Sequence, residues 1–313
     1  MKKVIIVGCD GQDGRIAFDL LTKKKYALLG IDKECIRTHN IKQNHNVDII
    51  NYQHVCDIIK SIKPDEVYHF AAFHCSSEES LSDGPDDLIL SYQINVFSLI
   101  YFLEAIKAFN PASRLFYSAS SLIFEDTDSK VQDESTPPKP ASIYGITKYD
   151  GLEICKYYRN NYNIFASCGI FYNHESKYRS LKFLSKKIIT SAIAIKNGSK
   201  NKLVLGSLSS EADWGYAPDY VNACIQILNS STPDDYIIAT GKKHSVREFV
   251  ETAFGLLGLD WHDHVVEDNT VIKSKRKALT GNPSKLKKNI GWEPSVSFKE
   301  MIKKMIISEG YKL

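Results

Sequence analysis

Lys3-Val4-Ile5-Ile6-Val7-Gly8-Cys9-Asp10-Gly11-Gln12-Asp13-Gly14 carries a short β-branched run that breaks into glycines spaced Gly-x-x-Gly-x-x-Gly. The run reads as a strand, and Arg15 to Lys24, with Ile16, Leu20 and Leu21 as its apolar residues, reads as the helix behind it. At a strand-to-helix turn the missing side chains let the backbone bend tightly and approach a pyrophosphate. The N–H groups at the helix start meet its charge. Gly8, Gly11, Gln12, Asp13 and Gly14 are therefore candidate dinucleotide contacts. A glycine triplet alone also fits a turn that merely needs positive φ. What lifts it is Asp32, which closes the predicted strand Tyr26 to Ile31 eighteen residues beyond Gly14. An acidic side chain there accepts hydrogen bonds from ribose hydroxyls and repels a 2′-phosphate, so it favours NAD over NADP. Lys33 and Arg37 nearby keep the phosphorylated cofactor open. Asp48 and Ile49, after the next predicted strand, are placed to bracket the adenine. Ala71 and Ala72 are small residues where a dinucleotide can lie close to the backbone. For these two pairs plain packing is an equal alternative.

Outward from this turn the alternation continues. Val55 to Ile62 reads as helix, Glu66 to Phe70 as strand, Ile94 to Phe109 as a long helix and Leu115 to Ser118 as strand. Ile143 to Arg159 is a further helix and Ile164 to Ile170 a further strand. Strands separated by helices imply right-handed crossovers and an α/β fold with a Rossmann-type, doubly wound parallel sheet. After about residue 172 the rhythm loosens, with a helix near Phe183 to Lys196 and short strands around Leu203 to Leu205 and Tyr236 to Ala239. We expect residues 1–172 to form the NAD-binding domain, with later segments returning to it. Residues 173–313 should form mainly a smaller, mixed α/β C-terminal lobe for the substrate.

The 313 residues carry 40 basic against 37 acidic side chains, a formal charge of +3. Apart from Lys273, Lys275, Arg276 and Lys277 no block of like charge stands out, which argues against nucleic acid as a partner. The apolar run Val4 to Val7 is too short for a membrane span or a signal core. Seven cysteines at wide spacings, without a Cys-x-x-Cys pair, read as reduced thiols of a cytoplasmic protein. No His/Cys grouping has ligand spacing, so no metal is expected.

Tyr144-Gly145-Ile146-Thr147-Lys148 places a tyrosine and a lysine on one helix face. An ammonium beside a phenol favours the phenolate, which can then exchange a proton with a substrate hydroxyl, while the lysine also holds the nicotinamide ribose. Pro137, Pro138 and Pro140 stiffen the approach to Tyr144. Ser118, Ser120 and Ser121, the last twenty-three residues upstream of Tyr144, follow a predicted strand and offer hydroxyls to the substrate oxygen. Glycine turn, Asp32, serine cluster and Tyr/Lys pair in this order are hard to produce by accident.

At this point the chain resembles the extended short-chain dehydrogenase/reductases and, within them, the GDP-mannose 4,6-dehydratases, over nearly its whole length. The likeness includes Asn173-His174-Glu175-Ser176, Asp213-Trp214-Gly215, Asp219-Tyr220-Val221, Tyr236-Ile237-Ile238-Ala239-Thr240-Gly241, His244-Ser245-Val246-Arg247-Glu248-Phe249 and Gly291-Trp292. The resemblance implies that Ser121, Tyr144 and Lys148 are catalytic and that Asn173, Arg179 and Lys187 help to hold the nucleotide diphosphate or sugar. It also implies a homo-oligomer. Two departures matter. Where the family has Ser-Thr-Ser-Glu, this chain has Ser120-Ser121-Leu122-Ile123, so the glutamate that serves dehydration is a hydrocarbon. Ala212 stands where the family carries an arginine against the diphosphate, a lost charge-assisted contact for which Lys177, Arg179, Lys273 or Arg276 can compensate.

The resemblance and its departures imply NAD-dependent oxidation of the C4 hydroxyl of a GDP-activated manno sugar, without dehydration. GDP-mannose and a GDP-manno-heptose of the kind used in bacterial surface polysaccharides both qualify. NADH then exchanges with solution or is reoxidised by a second substrate such as a 2-keto acid. The alternatives are a 4-keto sugar nucleotide reductase, a 4,6-dehydratase with a displaced acid such as Glu125 or Asp126, and a cofactor-binding regulator.

Overall fold

The computed structural model describes residues 1–33, 35–42, 47–74, 84–271 and 277–313. The opening run is β1 (Lys3–Val7), buried from Val4 to Val7, as befits a strand covered on both faces. It is followed by α1 (Gln12–Lys23), β2 (Ala27–Ile31), β3 (Ile36–His39), α2 (Tyr52–Ile62) and β4 (Glu66–His69). Next come α3 (Pro85–Tyr92), a π-turn at Gln93–Phe97, α4 (Ser98–Phe109), β5 (Arg114–Ser120), α5 (Ile143–Tyr162) and β6 (Ala166–Phe171). The remainder runs β7 (Asn173–Glu175), α6 (Leu184–Lys196), β8 (Leu203–Leu205), β9 (Glu211–Tyr216), α7 (Ala217–Leu228) and β10 (Asp235–Ile238). The chain closes with β11 (Lys243–Ser245), α8 (Val246–Leu256), β12 (Val265–Glu267), α9 (Ser284–Ile290) and α10 (Phe298–Ser308).

Among the described residues the main sheet has seven strands in the order β10-β6-β5-β4-β1-β2-β3. From β10 to β2 every pairing is parallel. Side chains alternate across it. Ile5 and Val7 join a core with Val55, Ile59, Leu99, Phe102, Leu103 and Leu152 from α2, α4 and α5. Val4 and Ile6 join Ile16, Leu21, Val221, Cys224 and Leu286 from α1, α7 and α9 on the other face. Because β1 lies between β2 and β4, the chain departs from it in opposite directions, which opens a crevice at the strand ends where ligands of such sheets bind.

One edge departs from the all-parallel expectation. β3 runs antiparallel to β2, pairing Ile31 with Ile36 and Leu28 with His39. Only residues 32 to 35 join the two strands, too few for a crossover helix, so the chain must reverse. The long helix also begins earlier than its apolar periodicity suggested. Pro85 to Phe109 runs as one 25-residue helical stretch, and by length and composition it could cross a bilayer. Its inner residues Leu99, Phe102, Leu103, Ala105 and Ile106 are fully buried against the sheet.

Beyond residue 172 the chain does both jobs. α7 and β10 return to the main sheet, whereas α6, α8 and α10 enclose a separate apolar cluster with Ile188, Leu205, Trp214, Phe249 and Met305. The short strands there form a three-stranded sheet, β11-β9-β7, and the pair β12-β8.

Candidate active site

The glycine turn is built as its spacing requires. Gly8 has φ of 85°, and a Cβ on it would stand 2.6 Å from the Ala71 nitrogen, so the turn lies directly on the backbone that leaves β4. A Cβ on Gly14 would meet the Gly8 carbonyl oxygen at 2.1 Å, which fixes how closely α1 approaches the turn. The first turn of α1 has no side-chain cap, leaving its N–H groups aimed at the crevice. At Gly11 an added Cβ would meet only the Gly8 oxygen, at 3.4 Å, so the outer face of the turn is open, and with the uncapped N–H groups it fits a pyrophosphate.

Asp32 anchors this turn. Its Oδ2 accepts from the Asp10 N–H at 2.8 Å and its Oδ1 from the Lys33 N–H at 2.8 Å. Arg15 and Arg37 both ion-pair with Asp10, while Lys33, next to Asp32, is exposed. Gln12 and Asp13 point their side chains at β7. Gln12 Nε2 donates to the His174 carbonyl at 3.0 Å, Ser176 Oγ donates to Gln12 Oε1 at 2.8 Å, and His174 Nε2 lies 3.1 Å from the Asp13 carboxylate. The two residues therefore join the turn to β7 and the residue after it by their side chains. Asp48 accepts the Ile50 N–H and shapes the turn ahead of α2, while Ile49 packs on the core. Ala71 is half-buried under Gly8 and Ala72 beside it is exposed.

Ser121 and Tyr144 are brought together by a close approach of backbones. Ser120 ends β5 and caps a 3-10 turn at Ser121–Phe124 by accepting the Leu122 N–H. Gly145, next to Tyr144, lies against the carbonyl of Leu122, next to Ser121: an added Cβ would be 2.6 Å from that oxygen and 3.2 Å from Pro140 Cβ. The proline loop fastens the same turn, since the Lys139 N–H donates to the Ile123 carbonyl at 2.7 Å. Ser142 starts α5 by accepting the Gly145 N–H. One helical turn on, Lys148 is fully buried, its Nζ donating to the Ser118 carbonyl at 2.7 Å and standing 5.7 Å from the Tyr144 ring centre. Ser118 Oγ is spent on the His69 carbonyl, so of the three serines Ser121 is the one whose hydroxyl makes no hydrogen bond among the described residues. Ile123, in contrast, is 1% exposed and belongs to the core.

Burial pushes the Lys148 ammonium down to about 7, opposed only in part by Asp13. Below that value both folded and unfolded chains carry the proton and the fold bears the whole penalty of a buried charge. Between about 7 and the ordinary lysine value only the unfolded chain stays protonated, so the penalty fades as pH rises. Lys148→Met should therefore gain stability over the wild type near neutrality, and this gain should shrink toward pH 10. Guanidinium midpoints measured along that range check it; a constant difference would assign the effect to packing.

Three residues at the site were not assigned to it from the sequence, which suggests only packing or loop roles for His69 and His74. Asn95 is fully buried on the π-turn; its amide oxygen accepts the Phe73 N–H at 2.8 Å and its nitrogen donates to Thr147 Oγ1 at 3.0 Å, tying the β4 loop to α5. A polar residue inside Ile94-Asn95-Val96 was the available signal, and π-turns concentrate at functional sites. His69 is fully buried with its Nε2 on Ser98, and burial together with Lys148 pushes it down to about 3, so it is neutral. His74 sets its ring edge-on to Tyr144 at 4.3 Å between centres and stacks on Phe183 at 5.9 Å.

The family model described as GDP-mannose 4,6 dehydratase matches residues 5–305. The chain belongs to the GDP-mannose 4,6-dehydratase family. It is 32% identical to GDP-mannose 4,6 dehydratase 1 of Arabidopsis thaliana over 97% of this chain and 89% of that protein. Identity to the Vibrio cholerae GDP-mannose 4,6-dehydratase is 28% over 98% and 94%. Among solved structures, dTDP-glucose 4,6-dehydratase of Bacillus anthracis in complex with NAD superposes with a TM-score of 0.82 at 20% identity, covering 99% of this chain and 97% of that one. RMD of Pseudomonas aeruginosa complexed with NADPH gives 0.83 at 18%, covering 98% of each. These two establish the fold.

Several of the strings that carry the resemblance have structural work here. Asp213, 1% exposed, accepts from the Thr240 N–H and Oγ1, the Gly241 N–H and the Gly281 N–H, closing the loops that follow β10. Asp219 accepts from the Ser295 N–H and Oγ and from the Val296 N–H, and Trp292 Nε1 donates to its carbonyl. Ser245 and Glu248 form a capping box at the head of α8. Of the residues expected on the substrate, Asn173 is exposed at the start of β7 and Lys187 lies on the first turn of α6. Arg179 is committed elsewhere: its Nε lies 3.1 Å from the buried Glu175 and its guanidinium stacks 3.6 Å from the Phe183 ring centre. That pairing weakens it as a substitute for the arginine that the resemblance expects where Ala212 stands. Lys177 is exposed over the Tyr178 ring, and Lys273 and Arg276 lie outside the described residues.

Proposed function

We propose that this family member oxidises the C4 hydroxyl of a GDP-activated, manno-configured sugar, GDP-mannose or a GDP-manno-heptose, using NAD and without dehydration. The observation that carries the reading is Ile123. The resemblance sets it at the position of the family's acid, and it is sealed in the core; Ser121, Tyr144 and Lys148 are the residues we give to oxidation. Ser121 holds the C4 oxygen and Tyr144 removes its proton. Lys148 favours the phenolate and, with Asn95 and Thr147, fixes the helix face that presents it. Gly8, Gly11, Gly14, Ala71 and the backbone of Gln12 and Asp13 would hold the dinucleotide, with Asp32 on its adenosine ribose. When bound, the nicotinamide supplies the acceptor for the C4 hydrogen. Asp32 supports NAD, and the pairing of Arg15 and Arg37 with Asp10 leaves those two charges less available to a 2′-phosphate.

On this reading residues 1–172, with α7 and β10, serve the cofactor and the rest mainly the sugar nucleotide, to which Asn173 and Lys187 contribute. The reduced cofactor exchanges with solution or is reoxidised by a second substrate. Exposed Phe97, Phe109, Tyr157 and Tyr162 on α4, the preceding π-turn and α5 give a homo-oligomer its contact face.

A second reading keeps the activity for which the relatives are named, 4,6-dehydration, with Glu125 as displaced acid; Glu125 is the C-cap of the Ser121–Phe124 turn, two residues past Ile123. One experiment separates the two. The protein is incubated with GDP-mannose and, in parallel, a GDP-manno-heptose, each with NAD or NADP, and the products are weighed. The expected product is lighter than substrate by two hydrogen atoms and appears faster with NAD. A product lighter by one water overturns the proposal in favour of Glu125, and a clear preference for NADP overturns the role given to Asp32.

A further inference from the structure

His74 is fastened at both ends. On its backbone side the Phe73 N–H donates to Asn95 Oδ1 at 2.8 Å and the Phe73 carbonyl accepts from Asn95 Nδ2 at 3.3 Å. That nitrogen also donates to Thr147 Oγ1 at 3.0 Å. Thr147 lies beside Lys148 on α5, so the backbone leading into His74 is tied to the helix that carries Tyr144. On its ring side the imidazole stacks on Phe183, the two planes 22° apart. Phe183 is the N-cap residue of α6, and the Arg179 guanidinium covers its ring. Arg179 pairs with Glu175, the buried last residue of β7, which also accepts from Ser185 Oγ in the first turn of α6.

Between these two fastenings the imidazole meets Tyr144 nearly at right angles, with the planes 83° apart and the centres 4.3 Å apart. Aromatic rings favour such edge-to-face contacts. A separation this short sets the imidazole against the body of the phenol ring. Tyr144 stands on the first turn of α5, and a helical backbone leaves a tyrosine more than one χ1 rotamer. A neighbour held from both sides selects among them.

We propose that His74 is a positioning residue, whose ring, held by Phe183 and by the Asn95 tie, keeps the Tyr144 phenol in the orientation from which it takes the C4 hydroxyl proton. His74 acts as a flat ring and exchanges no proton in the step. Locking the rotamer of a reacting group by packed neighbours is what gives a site its alignment, and a small misplacement is felt in the rate more than in binding. The row Tyr144, His74, Phe183, Arg179 also runs from α5 to the head of α6, so the phenol takes its orientation from elements on both sides of the site. The proposal rests on the role given to Tyr144 above.

The test measures kcat and KM for the GDP-manno sugar that the wild type oxidises with NAD. His74→Ala should lower kcat by about ten- to a hundredfold and leave KM within about threefold. His74→Phe, a flat ring with no proton to exchange, should recover most of that loss. Phe183→Ala should also be slow, and the double variant His74→Ala/Phe183→Ala no slower than His74→Ala, because both changes remove one support. Near-normal kcat in His74→Ala, no recovery in His74→Phe, or additive losses in the double variant would each overturn the clamp. Should His74→Ala fail to fold, His74→Phe and Phe183→Ala decide the matter, expected fast and slow. A wild type that reduces no NAD with either sugar nucleotide would overturn the proposed function instead. Crystals of the wild type and of His74→Ala, or of Phe183→Ala in its place, then decide the clamp alone: a Tyr144 ring turned or split between rotamers in the variant supports it, and an unmoved ring overturns it.

Discussion

Tyr144→Phe should lower the rate of C4 oxidation by about two to four decades, equal to about 3 to 5 kcal/mol of transition-state stabilisation. Affinity for the sugar nucleotide should stay within about twofold. The substitution removes one oxygen and keeps the ring, so the edge-on contact with His74 and the approach of Gly145 to Leu122 persist. The loss therefore reports proton transfer. Single-turnover rates and an equilibrium titration with GDP-mannose separate the two quantities. Near-normal turnover would move the proton to another group, and His74, already against the ring, is the first to examine. Parallel loss of affinity would mean that the phenol binds substrate in the ground state.

A comparable loss, of stability rather than rate, is expected from Asp213→Ala. This carboxylate accepts from four donors on two loops, and three of these are backbone N–H groups that have no other use once it is gone. Each buried donor left without a partner costs about 1 to 3 kcal/mol, and relaxation of the loops recovers part of the sum. We expect a net loss of about 3 to 5 kcal/mol, seen as a melting temperature lower by roughly 5 to 8 °C. Asp213→Asn keeps an acceptor and should lose about half as much. If Asp213→Ala melted as the wild type does while its affinity for the sugar nucleotide fell, Asp213 would be a ligand contact.

The same contrast explains what the sequence made legible. Strands buried on both faces, Val4 to Val7 among them, appear as unbroken apolar runs, and the glycines after them have few other uses, so the sheet and its turn could be read directly. The Tyr144/Lys148 pair was legible because helical spacing is local. α7 was not: with Ala217, Tyr220, Val221, Cys224, Ile225, Ile227 and Leu228 all buried, only the narrow stripe of Asp219, Asn222 and Gln226 is left to announce a helix, and Pro218 disguised its start. β7, β9 and β11 have three to six residues and exist because of partners far along the chain, such as Asn173 beside Trp214. The engagement of Arg179 by Glu175 and of Asp10 by Arg15 and Arg37 are likewise facts of pairing. Residue type showed that the charges were there; only folding shows which are already taken.

The bonds from Gln12 and Asp13 to His174 and Ser176 carry a last consequence. Burial works against a charge on His174 and the Asp13 carboxylate outweighs it, holding the imidazole above its usual pKa and the contact in its ionic form further toward neutrality. The backbone that would cradle a dinucleotide and the strand at whose mouth a sugar nucleotide would sit are thus a single mechanical part. A ligand that orders one segment has already met part of the cost of ordering the other, so the two should bind with a favourable coupling free energy, equal whichever is added first. Replacing Asp13 by alanine would weaken that coupling, leaving only the bonds of Gln12 to His174 and Ser176 to carry it.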